Sequence, residues 1–456
     1  MNLEQLRKRA KEIVGAARAG DEAALARLGG RDPILAHAQL VLAREHGYPS
    51  WPALVAAVEA NAETFVLAAT DGRLARAERM LAARPEIERD PWARLVLGRG
   101  WSGDVSAPGG PRRWAPLLYV AHSCFASPSL ARELLGRGAD PNAYFVNEYG
   151  QMPALYGAAG VIHDPELTRV LLEAGANPDD GESLYHAVEA EGPDCLRLLL
   201  EHGAGTSCTN ALAHALDYDR IEHVRLLLDA GADPNEGALL AHAVRRGRGP
   251  EFLRLLADHG ADLDRPGGET WRGDVPLRTP YQHAMLRGRA DQAEMLAELG
   301  ASTDVAPADL ALGALPRGER PAVPVPDDLD PDGQEVVVLA ALEGHLDLVL
   351  DVVGPSFRGV VGGSPEGTLL HHAAWVGKPA LVTELLRRGA DPGALATADF
   401  ETPLGWAALA SEYHELPERD YVAVAELLIV AGNGVESRFL DVADGPLYDW
   451  LDDRLR

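Results

Sequence analysis

Amphipathic helical patterns fill most of the chain and are separated by glycine, proline and acidic turn residues. Within them a short phrase recurs, as "SLYHAVE" at 183–189, "ALAHALD" at 211–217, "LLAHAVR" at 239–245 and, more loosely, "PYQHAML" at 280–286. A histidine precedes the same alanine in each copy. Such repetition predicts a helical array that grows by adding units, rather than one compact globular core.

A second phrase follows the first at a fixed distance and ends each predicted helix pair. It reads "LLGRGADPN" at 134–142, "LLEAGANPD" at 171–179, "LLLDAGADPN" at 226–235 and "LLRRGADPG" at 385–393. The leucines are expected to pack at the helix end, the glycine to adopt the left-handed conformation that ends a helix, and Asp-Pro or Asn-Pro to open a turn. The repeating unit is therefore predicted to contain a helix, a glycine and a turn.

These residues resemble ankyrin repeats, in which a turn and two antiparallel helices recur about every 33 residues with the signature T-P-L-H-x-A-A. The best matches are "TLLHHAAWVGKPALVTELLRRGADP" from Thr368 and "TPLGWAALA" from Thr402. The resemblance covers residues 62–435. It implies an all-α ankyrin-repeat solenoid of about ten helix pairs in two arrays, with helical N- and C-terminal caps.

Four segments are predicted from these patterns. They are an N-terminal helical cap at 1–61, a first ankyrin array at 62–304, a Pro/Gly-rich linker or long loop at 305–335, and a second ankyrin array with a C-terminal cap helix at 336–456. The cap segment resembles the helical segment that often precedes ankyrin arrays in bacterial proteins. Its expected role is to shield the apolar side of the first repeat.

The composition is that of a soluble protein, with 46% apolar and 24% charged residues. A net charge of -27 disfavours binding to nucleic acid or anionic lipid. No apolar run reaches the roughly 18 residues of a membrane span, and the N terminus lacks the apolar region of a secretory signal. Three cysteines, Cys124, Cys195 and Cys208, lack metal-site or disulfide spacing. We expect a cytoplasmic protein with no cofactor, no metal, and neither nucleic acid nor membrane as a partner.

One position of the repeat predicts a row of side chains along the inner helices. The residue before the first alanine of each unit is expected to face the concave surface, where ankyrin proteins commonly bind partners. The histidine and aromatic residues of this row are Tyr119, Tyr156, His186, His214, His242, His283, His372 and Trp406, with Trp375 one turn after His372. The family's own signature histidine lies one residue earlier, so the recurring histidine is not the family's usual one.

Two histidines of this row have an acidic residue one turn later on the same helix face, His186 with Glu189 and His214 with Asp217. Such pairs serve acid–base chemistry in enzymes, and they also occur in packing and in ligand contact. We keep the four residues as weak catalytic candidates beside these two other interpretations. A zinc site is disfavoured because inner helices about 8–10 Å apart hold the imidazoles too far from each other.

Arginines cluster near the end of the first array in an otherwise acidic chain. The cluster contains Arg245, Arg246, Arg248, Arg272, Arg278, Arg287 and Arg289, and the insertion at 265–289 also carries Trp271. Guanidinium groups bind carboxylate or phosphate with two hydrogen bonds, so the cluster predicts an anionic small molecule or an acidic peptide as ligand. The alternative is that the arginines pair with the many acidic residues nearby.

We expect a cytosolic binding scaffold that recognises a protein or peptide through a groove lined with histidine and aromatic residues. The alternative is an enzyme or small-molecule receptor, for example in bacterial specialised metabolism, with the histidine–carboxylate pairs and the arginine cluster in one pocket. The sequence contains no P-loop, dinucleotide-binding, G-x-S-x-G or H-E-x-x-H motif. An enzyme predicts an enclosed pocket that unites at least two of the histidines, and a scaffold predicts an open trough.

Overall fold

Short α-helices provide most of the regular structure. A computed structural model of the chain describes residues 3–31, 33, 35–48, 51–268, 276–326, 328–353, 367–396, 401–411, 416, 418–443 and 445–455. Trp271 and Arg272, which the sequence analysis placed in the ligand-binding region, lie outside the described residues.

The α-helices are numbered in chain order. They are α1 (Leu3–Arg18), α2 (Glu22–Leu28), α3 (Leu35–Glu45), α4 (Trp51–Glu59), α5 (Ala62–Thr70), α6 (Leu74–Ala83), α7 (Pro91–Val96), α8 (Pro116–Ala121), α9 (Pro128–Gly136), α10 (Ala154–Tyr156), α11 (Pro165–Glu173), α12 (Ser183–Ala187), α13 (Asp194–Glu201), α14 (Ala211–Asp217), α15 (Ile221–Asp229), α16 (Leu239–Arg245), α17 (Pro250–Asp258), α18 (Pro280–Leu286), α19 (Ala290–Leu299), α20 (Pro307–Ala314), α21 (Pro331–Ala340), α22 (Leu346–Val353), α23 (Leu369–Trp375), α24 (Pro379–Arg387), α25 (Pro403–Ala410), α26 (Tyr421–Val430) and α27 (Gly445–Leu455). Single π-helical turns follow α10 and α21, at Gly157–Val161 and Ala341–His345.

The chain forms two compact units. The first contains residues 1–3 and 52–262, and the second contains residues 4–51 and 263–456. The boundary therefore lies between Asp262 and Leu263, ahead of the predicted linker at 305–335. The four-segment division proposed from the sequence stays a prediction.

In the first unit the helices alternate between an inner and an outer row. The inner helices α12, α14 and α16 pack side by side, and the outer helices α13, α15 and α17 do the same. The alanine after each recurring histidine is fully buried, with 0% exposure at Ala187, Ala215 and Ala243. Since a methyl side chain lets neighbouring helices approach closely, the packing of the inner row gives this alanine its place in the repeated phrase.

Each outer helix ends in the way that the second phrase predicts. Gly175 has a φ of 93°, in the left-handed region that glycine adopts without strain. Its backbone N–H donates to Leu172 O, and the N–H of Ala176 reaches back to Leu171 O at 3.0 Å. These two hydrogen bonds satisfy carbonyl groups that the end of α11 would otherwise leave without partners.

Asparagines of the Asp-Pro-Asn turns join one repeat to the next. Asn142 Nδ2 donates to Gly175 O at 3.1 Å, and Asn142 Oδ1 accepts from the N–H of Asn177 at 2.7 Å. Asn235 makes the same pair of hydrogen bonds to Gly260 O and the N–H of Asp262, at 3.0 and 2.7 Å. The turn residue thus caps the helix end of the following repeat, a role that the sequence analysis did not assign.

A β-hairpin precedes α10 in the first unit. Strands β1 (Tyr144–Asn147) and β2 (Gly150–Pro153) pair antiparallel, with Phe145 opposite Met152. Phe145 stacks on Trp114 at a ring-centroid distance of 4.3 Å, whereas Tyr144 and Val146 are exposed because successive side chains of a strand point to opposite faces. No other paired strands occur among the described residues.

The second unit contains α18–α27 and also the N-terminal helices α1–α3. Helix α3 packs against α27, so that the two ends of the chain meet within this unit. The apolar core includes Val336 and Val337 of α21, Leu370 of α23 and Leu428 of α26, all buried.

The segment 305–335, predicted as a linker or long loop, contains α20 and the beginning of α21. Ala311 and Leu312 of α20 are buried, and so are the carboxylates of Asp309 and Asp332. Helix α20 was not predicted from the sequence. It buries small side chains and a carboxylate, and so lacks a clear hydrophobic stripe. Among the helices that the structure describes, none is long and apolar enough to cross a membrane.

Candidate functional site

The recurring histidines of the first unit lie in a row on three inner helices, His186 in α12, His214 in α14 and His242 in α16. Their side chains are half-buried, with exposed fractions of 27%, 15% and 19%. Carboxylates and tyrosines surround them. We name this group the histidine stripe, and its members are Tyr156, Glu182, Tyr185, His186, Glu189, His214, Asp217, Tyr218 and His242.

The stripe histidines are joined to carboxylates of the preceding repeat. His214 Nε2–H donates to Glu189 Oε1 at 2.9 Å, and His242 Nε2–H donates to Asp217 Oδ1 at 2.8 Å. The carboxylate three residues past one histidine therefore reaches the histidine of the next inner helix. The repeated spacing His-x-x-Asp/Glu thereby builds a ladder between repeats.

Glu189, in the turn that follows α12, also binds the histidine of its own repeat. His186 Nδ1–H donates to Glu189 Oε1 at 2.8 Å, as the sequence spacing predicts, so one carboxylate oxygen accepts from two imidazoles. The predicted pair of His214 with Asp217 is replaced by the contacts of each residue with a neighbouring repeat. His186 Nε2 lies 3.6 Å from Glu182 Oε2, which places this imidazole between two carboxylates.

Tyrosine rings hold the imidazoles from the sides. Tyr185 stacks on His214 with a centroid distance of 4.0 Å and an interplanar angle of 9°. Tyr218 meets His214 edge-on at 5.0 Å, and Tyr156 meets His186 edge-on at 5.1 Å. The imidazole centroids of His186 and His214 lie 6.5 Å apart. The described residues contain no group of three or more His, Cys, Asp or Glu side chains that could hold a metal ion.

The carboxylates of the stripe affect the pKa values of the tyrosines beside them. Burial and the charges of Glu189 and Glu182 raise the pKa of Tyr156, and burial, Glu189 and Asp217 act in the same direction on the pKa of Tyr185. Burial disfavours the ionised form of Asp217, but the hydrogen bond from His242 and nearby positive charges outweigh it and hold its pKa below the usual value. Asp217 is therefore an ionised acceptor at neutral pH.

Tyr119 was predicted to face the groove but is fully buried. Its hydroxyl donates to Gly109 O and accepts from the N–H of Arg112, both at 2.8 Å. Trp92 and Trp114 enclose the ring at centroid distances of 5.0 and 5.5 Å. The side chain thus holds the segment 109–114 against α8 and presents no surface to a partner.

Arginines of the predicted cluster bind carboxylates of the chain. In the first unit Arg246 Nε lies 2.7 Å from Asp217 Oδ1, and Arg248 contacts Asp219 at 2.8 Å. Arg245, at the end of α16, is half-buried. The contacts of Arg246 and Arg248 fit the alternative interpretation from the sequence, in which the arginines pair with nearby acidic residues.

In the second unit His283 and two arginines form a buried network. His283 is fully buried, its Nε2–H donates to Gly267 O at 2.8 Å, and Nδ1 accepts from Arg287 at 3.2 Å. Arg287 and Arg278 both contact the buried carboxylate of Asp332. We name the full set the arginine network, and it consists of His283, Arg278, Arg287, Asp309, Asp330, Asp332 and Glu335.

The remaining predicted residues also belong to the second unit. Trp406 is 1% exposed, and His372 and Trp375 meet its ring edge-on at 5.2 and 5.9 Å. His371, at the family's signature position, accepts from the N–H of Thr368 through Nδ1 and donates to Glu401 O through Nε2. Trp406 is therefore a core residue, and His372 and Trp375 are half-buried around it.

Glu182, Tyr185 and Tyr218 were not assigned to the site from the sequence. Tyr185 occupies the slot before His186, and Tyr218 lies one turn after His214. Position i+4 on the helix face is a signal that could have indicated Tyr218. The stacking of Tyr185 on His214 joins two repeats, and the sequence of one repeat does not encode it.

Comparisons with known proteins give the following matches. A family model described as "Ankyrin repeats (3 copies)" matches residues 155–238, and one described as "Ankyrin repeat" matches residues 367–396. No curated protein matches the chain.

Three solved structures are similar over parts of the chain. The human ASB11 ankyrin repeat domain is 20% identical, with a TM-score of 0.35, covering 52% of this chain and 98% of that one. The ankyrin repeat domain of Bcl-3 is 24% identical, with a TM-score of 0.34, covering 41% and 86%. An ankyrin repeat domain from Acinetobacter baumannii AYE is 26% identical, with a TM-score of 0.34, covering 41% and 98%. The family-model matches identify ankyrin repeats in this chain, at residues 155–238 and 367–396.

Proposed function

We propose that this protein is a cytoplasmic binding scaffold and that the histidine stripe is the surface on which it holds a protein or peptide partner. The observation that supports the proposal most directly is the ladder that fixes His186, His214 and His242 against Glu189 and Asp217 while leaving them partly exposed. Side chains already held in place lose little conformational freedom when a partner binds, which favours affinity.

The composition of the stripe also supports a binding role. Tyrosine is enriched among the side chains that dominate binding energy, because it combines a large apolar ring with a hydroxyl group. Tyr218 is 42% exposed, and Tyr156 and Tyr185 are half-buried. These three tyrosines follow the row of inner helices over three repeats, a length suited to an extended peptide.

Catalysis at the same place is a second candidate function, and one observation favours it. Two imidazoles within hydrogen-bond distance of one oxygen of Glu189 form an arrangement that can move protons. In this candidate His186 and His214 act as acid and base, and Glu189, which accepts from both, orients them. Two results together would favour catalysis over the scaffold. The protein would turn over a substrate and lose that activity in Glu189→Gln, and its stripe would bind no peptide.

The scaffold proposal is tested by selecting a phage-displayed peptide library on the full chain and on two variants, Tyr185→Ala and Tyr218→Ala. We expect clones that bind the natural chain and lose about tenfold in affinity on each variant, because a tyrosine at the centre of an interface contributes on the order of 1–2 kcal/mol. Tyr218→Ala removes an exposed ring and leaves the ladder in place.

The matched control is Tyr149→Ala, at the hairpin turn, where the tyrosine is 80% exposed. Clones that bind through the stripe keep their affinity on this variant within about twofold, the range expected for a residue outside the interface. Circular dichroism of all three variants confirms that each is folded. A library that yields only clones indifferent to Tyr185 and Tyr218 overturns the proposal.

A further inference from the structure

The arginines expected to attract an anion are already neutralised. Arg246 lies against Asp217, and Arg248 lies against Asp219. Arg287 is 3% exposed and contacts Asp332. An acidic partner would have to displace the carboxylates from these three arginines, which therefore do not supply the positive surface that the sequence suggested.

The histidine stripe carries an excess of carboxylates instead. The side chains of Glu182, Glu189 and Asp217 are 30%, 25% and 31% exposed. Arg246 compensates one of these three charges. The local excess has the same sign as the net charge of -27 of the whole chain, which steers cations towards the protein.

Aromatic rings adjoin these carboxylates. His186 lies 3.6 Å from Glu182, and the rings of Tyr156 and Tyr185 meet the same imidazole edge-on at 5.1 and 4.9 Å. Lysine and arginine side chains have an apolar stem that packs on aromatic faces and a cationic end that binds carboxylates. Rings and acids side by side therefore match both parts of such a side chain.

We propose that the segment held by the histidine stripe is a cationic peptide, with lysine or arginine side chains packed on Tyr185 and Tyr218 and their charges facing Glu182 and Asp217. The inference rests on the proposed binding function and names the chemistry of its partner. It reverses the sequence-based expectation of an acidic ligand, because four of the arginines behind that expectation, Arg246, Arg248, Arg278 and Arg287, pair with carboxylates of the chain.

The experiment uses the peptide clones whose binding depends on Tyr185 and Tyr218. Their sequences are compared with the unselected library, and we expect enrichment in lysine and arginine. Two such clones are then made as fluorescent synthetic peptides, each with a version in which every Lys and Arg is replaced by Gln. Fluorescence anisotropy measures their affinity for the full chain and for Glu182→Gln, which leaves the hydrogen bonds of Glu189 and Asp217 in place.

We expect Glu182→Gln to weaken binding by about fivefold and the Gln-substituted peptides to bind at least about tenfold more weakly, as loss of one and of several partly exposed ion pairs predicts. Glu201→Gln is the matched control, because Glu201 is an exposed acid at the end of the outer helix α13, in the same repeat. That variant changes the net charge equally and should alter affinity by less than about twofold.

The outcomes separate the two proposals. Clones that depend on the stripe but are neutral or acidic, or that respond alike to Glu182→Gln and Glu201→Gln, overturn the cationic partner and leave the scaffold standing. If no clone depends on the stripe, the scaffold proposal fails and the cationic partner fails with it. Enrichment of basic clones with a selective loss on Glu182→Gln supports both.

Discussion

His242 and His283 occupy the same position of the repeated phrase, and the structure uses them in different ways. His242 is half-buried in the first unit and donates to the carboxylate of Asp217. His283 is fully buried in the second unit and donates to Gly267 O. In both cases an arginine follows four residues later, Arg246 and Arg287 respectively. Identical local spacing therefore produces a partly open stripe in one unit and a closed network in the other.

The difference lies in what each helix packs against. Helix α16 adjoins α14, which supplies an acidic side chain one turn beyond its own histidine. Helix α18 packs against α20, and Arg287, at the C-terminal end of α18, contacts the carboxylates of Asp332 and Glu335. A repeat position thus keeps its place on the helix, while its exposure and charge depend on the neighbouring elements. Four predictions, in order of decreasing effect, test this comparison.

Removing Arg278 should break the arginine network. Its guanidinium group contacts Asp309 at 2.9 Å, Asp330 at 2.8 Å and Asp332 at 3.2 Å, and the side chain is 8% exposed. Arg278→Leu removes this cation from three carboxylates, of which Asp332 keeps its contact with Arg287, so we expect a loss of about 3–5 kcal/mol in the unfolding free energy of the second unit. Urea denaturation, monitored by hydrogen exchange of the α20 amides, measures this unfolding free energy.

The matched control for this change is Arg320→Leu, since Arg320 and Asp351 form an ion pair whose side chains are 69% and 61% exposed. An exposed pair contributes about 0–1 kcal/mol. Equal losses for the two variants would show that burial does not distinguish the network from a surface ion pair.

A buried histidine of the first unit should make stability depend on pH. Burial lowers the pKa of His122 to about 4, and its Nε2 has no hydrogen-bond partner among the residues that the structure describes. The unfolded chain then binds more protons between about pH 6.5 and pH 4, so stability is complete above that range and falls as the pH decreases. The expected loss attributable to His122 is about 3 kcal/mol over this interval.

Hydrogen exchange of the α8 amides from pH 7 to pH 4 measures this dependence, with His122→Phe as the comparison. The phenyl ring suits the aromatic surroundings of Trp114, Phe145 and Tyr156 and carries no titrating group. The variant should have the shallower pH profile. Parallel profiles would contradict the assignment of the effect to His122.

Removing Glu189 should loosen the histidine stripe by a smaller amount. Glu189→Ala deprives His186 and His214 of an acceptor, but both imidazoles are partly exposed and water can replace the carboxylate. We expect a loss of about 2 kcal/mol in the unfolding free energy of the first unit. Chemical denaturation measures it, and ring-nitrogen NMR shifts should change at both histidines.

Glu201→Ala serves as the control for that variant, because the side chain is exposed at the end of α13. Surface substitutions of this kind alter stability by about 0.5 kcal/mol or less. If Glu189→Ala lowered the unfolding free energy no more than Glu201→Ala does, the ladder would not stabilise the fold.

The smallest effect is expected for Arg246→Ala. Asp217 loses an ion pair at 2.7 Å but keeps the hydrogen bond from His242. Arg246 is 38% exposed, so the unfolding free energy should fall by about 0.5 kcal/mol, against several for Arg278→Leu. A double-mutant cycle of Arg246→Ala with Asp217→Ala measures the pair alone. A coupling energy between Arg246 and Asp217 as large as the loss of stability for Arg278→Leu would contradict the distinction between the open stripe and the closed network.

The repeated helices and the ankyrin repeats could be predicted from the sequence, because both depend on local features. The glycine at each helix end, the buried alanine and the bond within one repeat between His186 and Glu189 involve residues at most a few positions apart. The capping contact of His371 with Thr368 is equally local. Each such feature is written in a single repeat.

Contacts between repeats could not be predicted in this way. Stacking of Tyr185 on His214 and the bond of His214 to Glu189 depend on how two neighbouring repeats pack, and the helix at 307–314 needs neighbours to bury it. The burial of Tyr119 depends on residues 109–114 folding over its ring. Periodicity states which face of a helix a residue occupies, and it does not state what covers that face.

By itself, then, the sequence determined the helical repeat unit and the row of histidine and aromatic positions, because hydrophobic spacing, glycine and proline act within a few residues. Only the tertiary structure decided which members of the row are exposed, which group each histidine binds, and that Arg246, Arg248, Arg278 and Arg287 pair with carboxylates. These properties depend on distances between side chains 25 to 54 residues apart in the chain. The packing of the helices sets those distances. A charged side chain buried without a partner would lower the stability of the fold by several kcal/mol, so the buried charges are paired.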